Sequence, residues 1–351
     1  MKYKSTQQLV PTTCIPKHTN RRHTTRTQAG GIDVRGTLQL PSATQWSPPP
    51  PATPNGASPS MGQVAGVATA ITPGTAWVLH RGLRTWDATS FSPDNRITYA
   101  DAIAAPTVFL LDTATGDVLR TLGAGMLSMP HLITPTREGS VWVTDVGRHQ
   151  AIELNGTDGA VLRTLGTLGE PGNGATHLCK PTHVQVDHEG NVYVADGYCN
   201  ARVAVFDRGG THLRDLTLPD GAMSVPHSIV LDECGGSLVV ADRENQQLVV
   251  FAVASGNVQM VVSTAQFGFP YAVTAGPYGT TLALVWDRTA DNSTVLALDT
   301  STCVVLGGWT RMLPLYTLVG ILAACFLRLS MCVVAFITNL RKFEGKIKTR
   351  A

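Results

Sequence analysis

The chain has 351 residues, a formal net charge of +2 and 15% charged residues, with 34 Gly and 21 Pro. So small a charge excludes a bulk electrostatic grip on nucleic acid. So many turn formers suit a β protein better than a helical one.

The first 60 residues carry no strand or helix pattern. Residues 1–32 hold Lys2, Lys4, Lys17, Arg21, Arg22 and Arg26 and no acid, and lack the apolar run of an ordinary secretory signal. A basic, hydroxyl-rich start is a weak transit-peptide signature, and a disordered tail is the simpler reading. The Pro- and Ser-rich stretch 41–60 buries too little apolar area to fold.

From residue 61 to 309 the chain repeats. SMPHLITPTREGSVWVTDVGRHQAIELN (128–155), CKPTHVQVDHEGNVYVADGYCNARVAVFD (179–207) and SVPHSIVLDECGGSLVVADRENQQLVVFA (224–252) share one plan. Each has Pro, then His one or two residues later, a β stretch, a Gly turn, an alternating strand, an Asp, a polar loop and another strand. The Glu-Gly pairs at 138–139 and 189–190 predict hairpin turns. Weaker copies lie at 62–91 with 107–123, and at 269–299. A period of roughly 40–50 residues with several strands per unit predicts an all-β propeller, with a solenoid as the alternative. Five units are recognisable.

Equivalent loops of a propeller meet at one end of its channel. His131 and His227 follow Pro at the same repeat position, so they either share a metal or cap their strands by hydrogen bonding. Tyr198 lies in the loop of the middle unit, as an activated base or as a half-buried structural Tyr. Cys179 and Cys199 flank that hairpin, as a disulfide or as two buried thiols. Seven Cys is an odd count, so at least one is unpaired. Arg81 and Arg243 each follow a strand, as carboxylate ligands or as surface charges.

Residues 312–340 contain one charge, Arg328. As a helix they would extend roughly 43 Å, longer than the roughly 30 Å hydrocarbon core of a bilayer. This predicts a single membrane span. The basic tail 341–351 is then cytoplasmic, and the propeller faces the lumen or the outside.

HRGLRTWDATSF, MPHLITPTREGSVWVTDVGRHQ, HLCKPTHVQVDHEGNVYVADGYCNARV and SVPHSIVLDECGGSLVVADREN together resemble the peptidyl-α-hydroxyglycine α-amidating lyase family (peptidylamidoglycolate lyase). The likeness covers about residues 60–300, most of the chain. It implies a six-bladed NHL propeller with zinc in its channel, cleaving a peptide that ends in α-hydroxyglycine into a peptide amide and glyoxylate. The family's zinc His map onto His131 and His227, its base onto Tyr198, its arginines onto Arg81 and Arg243, and its disulfide onto Cys179–Cys199. A structural calcium held by backbone carbonyls maps onto Val67 and Ile133.

The family pattern stops near Trp309. The third zinc His belongs to a sixth blade, and no His follows His227. His80, His149, His177, His183, His188 and His212 stand at no matched ligand position. A second disulfide is replaced by Val239 and Val250. The departure reads as a frameshift or missed exon, as a short form with an open ring, or as a third ligand supplied from elsewhere. The alternative to a lyase is therefore an inactive, membrane-anchored propeller that binds a partner.

Overall fold

The computed structural model describes residues 61–219, 222–232, 236–276, 279–299 and 304–311, the last as backbone alone. The basic and Pro-rich start, the apolar stretch 312–340 and the tail 341–351 lie outside the described residues. Among the described residues no helix is long and apolar enough to cross a membrane.

Five four-stranded antiparallel sheets follow one another along the chain. Blade one holds β1 (Val64–Thr69), β2 (Thr75–His80), β3 (Val108–Asp112) and β4 (Val118–Leu122). Blade two holds β5 (Pro130–Pro135), β6 (Ser140–Asp145), β7 (Gln150–Asn155) and β8 (Val161–Leu165). Blade three holds β9 (His183–Val186), β10 (Val192–Asp196), β11 (Arg202–Phe206) and β12 (His212–Leu216). Blade four holds β13 (Pro226–Leu231), β14 (Ser237–Asp242), β15 (Gln247–Ala252) and β16 (Val258–Ser263). Blade five holds β17 (Phe269–Ala275), β18 (Thr280–Asp287), β19 (Asn292–Asp299) and β20 (Val304–Arg311).

First strands touch in series, β1 to β5, β5 to β9, β9 to β13 and β13 to β17. Among the described residues no comparable contact joins β17 back to β1. The predicted turns are present: Gly139 and Gly190 both adopt φ of 89°, which Gly reaches without steric cost. Asp187 anchors the second turn by accepting from the backbone N–H of Glu189 and Asn191.

Alternation along the middle strands suggests one buried face, but β6 and β10 are buried at every position. The reason is stacking. Trp142 and Val194 face one interblade core, while Val143 and Tyr193 face the cores on the other sides. Alternation of exposure survives in the outer strands, such as β4, β12 and β16.

Two devices recur and aim the channel residues. The Asp closing the second strand of blades two, three and four is fully buried and accepts backbone N–H groups of the segment entering its blade. Asp145 takes Met129 at 2.9 Å, Asp196 takes Cys179 at 2.7 Å and Asp242 takes Ser224 at 2.6 Å. The second device is a β-bulge at the start of the first strand. The register of β1, β5, β13 and β17 shifts at Val64/Gly66, Pro130/Ile133, Pro226/Ser228 and Pro270/Ala272. Each shift leaves residues out of the ladder, among them His131, His227 and Tyr271. Proline suits the position before them, because Pro130 and Pro226 open their strands and Pro270 borders a bulge, places where a ladder donor is not needed.

Candidate functional site

The bulges of blades two and four deliver His131 and His227 to one place. Their ring centroids lie 4.9 Å apart, and Tyr198 stands edge-on to both, at 5.4 and 5.7 Å. The Tyr198 oxygen is 3.1 Å from Nε2 of His131 and 3.0 Å from Nε2 of His227. Arg243 Nη1 donates to the same oxygen at 3.4 Å. Residues singled out in three separate repeats therefore meet at one atom.

Each imidazole is oriented from behind by the next blade. His131 Nδ1 is 2.8 Å from the carbonyl of Thr182, and His227 Nδ1 is 2.7 Å from the carbonyl of Tyr271. A carbonyl only accepts, so each Nδ1 carries the proton and each Nε2 presents a lone pair to the channel. Burial lowers the pKa of His131 well below its usual value, with His227 and Arg81 adding to the effect. Burial, and then Arg243, lowers that of His227 to about 3. Both rings are neutral at pH 7. For Tyr198, burial raises the pKa, while Arg243 and Arg81 oppose the rise.

A phenol has one proton, and it faces two lone pairs at about equal distance. One N···O contact is then left without a hydrogen between two acceptors. A cation on the two Nε2 atoms would relieve this, and imidazoles fixed through Nδ1 to carbonyls are arranged as metal-ligating ones usually are. Among the described residues, no group of three or more His, Cys, Asp or Glu comes together as a metal site.

The middle loop is held in place on both sides of Tyr198. Cys179 and Cys199 form a disulfide, with Cα atoms 5.4 Å apart. On the other side is Gly197, where a Cβ would lie 2.1 Å from the carbonyl oxygen of Pro226. No side chain fits there while blade four keeps its place. Asn200 and Arg202 both donate to Asp196 Oδ2, at 2.7 and 3.0 Å, which ties the loop's far end to the strand it left.

Arg81 is buried at the start of the long β2–β3 connection. Its Nε donates to the Pro130 carbonyl at 2.9 Å and its Nη1 to Gln63 Oε1 at 2.6 Å. Among the described residues it makes no hydrogen bond to Tyr198, so it acts there through its field. Val67 lies in β1 opposite Val78, and Ile133 in β5 opposite Val143. The backbones approach closely beside them, where a Cβ on Gly66 would lie 3.1 Å from the Ile133 nitrogen.

Two neighbours were not anticipated from sequence. Trp86, on the β2–β3 connection, lies 4.9 Å from the Tyr198 ring and 5.9 Å from that of His131, with Arg81 over its face. Tyr271 lies 5.5 Å from the His227 ring. Tyr271 carried a signal: it follows Pro270 as His131 follows Pro130 and His227 follows Pro226. His183 is the converse. It comes two residues after its Pro, so Thr182 holds the channel position. The His183 ring turns sideways instead, accepting the Ile229 N–H at 3.1 Å and meeting Thr134 Oγ1 at 3.2 Å.

The NHL repeat model matches residues 223–251, the first three strands of blade four. The chain is 39% identical over 196 residues to peptidyl-alpha-hydroxyglycine alpha-amidating lyase 2 of Drosophila melanogaster, covering 54% of this chain and 48% of that protein. It is 34% identical over 200 residues to the probable peptidyl-alpha-hydroxyglycine alpha-amidating lyase pgal-1 of Caenorhabditis elegans, covering 56% and 57%. The chain is thus similar to proteins named as peptidyl-α-hydroxyglycine α-amidating lyases. It spans about half the length of these curated relatives. Among solved structures, a streptogramin B lyase superposes with a TM-score of 0.50 at 14% identity, covering 72% of this chain and 70% of that one. That likeness is one of fold. The family resemblance read from the motifs is thus borne out, as are the five-bladed all-β propeller and the disulfide.

Proposed function

We propose that this lyase relative cleaves peptides ending in α-hydroxyglycine into a peptide amide and glyoxylate, using a zinc ion held by Nε2 of His131 and of His227. The observation carrying this reading is the meeting of two carbonyl-fixed imidazoles on the oxygen of one tyrosine. When bound, the zinc supplies Lewis acidity to the α-hydroxyl and positive charge beside the phenol. Tyr198 takes the hydroxyl proton. The hydroxyl oxygen becomes the aldehyde oxygen of glyoxylate, the C–N bond breaks, and its electron pair stays on nitrogen. The proton returned by Tyr198 completes the amide, so atoms and charge balance without water. Arg81 and Arg243 favour the phenolate that this needs. Arg243 is also the guanidinium with a free donor, since its Nη2 makes no hydrogen bond to a described residue, and it takes the substrate carboxylate.

The same reading gives Val67 and Ile133 the task of offering backbone carbonyls to a structural calcium. Residues 312–340 would anchor the propeller in a membrane, with 341–351 on the cytoplasmic side. The Cys179–Cys199 bond supports a lumenal or extracellular propeller, because such bonds persist in oxidising compartments.

A second reading has one observation in its favour: among the described residues only two imidazoles, and no third His, Cys, Asp or Glu, face the candidate metal position. A catalytic zinc normally has three protein ligands. On that reading the channel binds a partner without turnover. Zinc content of the purified full chain, measured beside glyoxylate release from an α-hydroxyglycine peptide, separates the two. About one zinc per chain with glyoxylate establishes the lyase. Absence of both leaves the binding module.

A further inference from the structure

Arg243 is the first residue past β14, and it is gripped from the side away from the channel. Its Nε donates to Glu244 Oε1 at 2.7 Å. Glu244 is in turn held by Arg288, on the loop after β18, in a two-point pairing: Nη1 to Oε2 at 2.9 Å and Nη2 to Oε1 at 2.7 Å. Arg288 is itself fixed by blade five. Its Nη2 donates to the Tyr271 hydroxyl at 3.0 Å, and its guanidinium lies 3.7 Å from the centroid of Phe269.

A Glu beside an anion-binding Arg is ordinarily a competitor. It can swing onto the Nη edge and cancel the charge an incoming carboxylate needs. Here both Glu244 oxygens are occupied by Arg288, and the contact to Arg243 falls on Nε. The forked Nη edge is left toward Tyr198 and the channel. Two guanidiniums against one carboxylate leave the trio with a net positive charge. Glu244 stays ionised, because its bonds to Arg288 and the charge of Arg243 lower its pKa. The trio adds little to folding, since Glu244 and Arg288 are 29% and 34% exposed and such pairs are weak. Its effect lies in aim.

We propose that Glu244 and Arg288 are positioning residues that hold the Arg243 guanidinium with its free edge toward the carboxylate end of a peptide ligand. The proposal rests on the assignment of Arg243 in the lyase reading, and binding alone can test it.

The probes are an N-acylated tripeptide ending in glycine with a free carboxylate, and the same peptide as its C-terminal amide. Each is titrated calorimetrically into the full chain. The wild type should prefer the acid, and Arg243→Gln should abolish the preference. Arg288→Gln and Glu244→Gln should each reduce it roughly tenfold or more, the size of one lost charge-assisted hydrogen bond. Arg288→Lys should restore part of it, because an ammonium keeps the charge without the two-point fork. Urea midpoints of these variants should match the wild type, which separates aim from folding. Wild-type acid preference in Arg288→Gln, or no acid preference in the wild type, overturns the proposal. Acid preference that is lost in Arg288→Gln, from a wild type that releases no glyoxylate, sinks the lyase reading and upholds the positioning role.

Discussion

The oxygen of Tyr198 and Nε2 of His227 stand 3.0 Å apart across the boundary between blades three and four, and His131 meets the same oxygen from blade two. On the proposed lyase reading this oxygen is the base. Tyr198→Phe should therefore lower kcat for glyoxylate release by roughly 10²–10⁴, the usual worth of a positioned base. The variant should keep its far-ultraviolet spectrum. Turnover at the wild-type rate would remove Tyr198 from the reaction.

Chelation tests the two histidines together. Dialysis against a chelator should abolish glyoxylate release, and added zinc should restore it. His131→Ala and His227→Ala should each lower bound zinc, read by elemental analysis, without loss of the Cys179–Cys199 bond. A chelated protein that keeps full activity would refute the zinc assignment.

The two supports of the Tyr198 loop should fail differently. Replacing Cys179 and Cys199 with Ser opens a closure of 20 residues and should cost about 3 kcal/mol in urea denaturation. Gly197→Ala places a methyl against backbone that has nowhere to go, so it should displace Pro226 and the adjacent His227. Its cost should be about 1–3 kcal/mol in stability. Its loss of kcat should exceed that of the cysteine variant. Equal kcat in the two variants would count against the close approach.

Stability should fall as pH drops from about 6.5 to about 4. Burial lowers the His183 pKa to about 4, so below its unfolded value the unfolded chain binds a proton that the native ring refuses. The loss from this group reaches on the order of 3 kcal/mol at the acid end of that window. His149, lowered to about 4, acts in the same direction. Asp196 acts oppositely: burial raises it to about 6, so its contribution falls as pH rises through the same range. His183→Gln should flatten the acid limb in urea titrations at pH 7, 6, 5 and 4. An unchanged slope would mean that His183 does not set it.

Blades two to four were legible because each carries the same punctuation: Pro, a Gly turn, and an Asp that fastens the incoming segment. His131, His227 and Tyr198 were legible for the same reason, since repeat position maps onto channel position. Tyr271 and Trp86 were not. Tyr271 shares the Pro-X signal but not the residue type, and Trp86 reaches the channel from the connection between β2 and β3, which has no counterpart in the stronger repeats. The Arg243–Glu244–Arg288 contact joins loops 44 residues apart, and no local pattern encodes it. Full burial of β6 and β10 follows from stacking between blades, which a single strand's alternation cannot reveal.

The bulges that carry His131, His227 and Tyr271 also separate two kinds of inheritance. A residue lifted out of the ladder can be exchanged without re-registering its sheet, so channel chemistry and blade architecture can change independently. The chain already displays such exchange along its own length. Behind the prolines of their bulges, blades two, four and five present His131, His227 and Tyr271 on the same four-stranded frame.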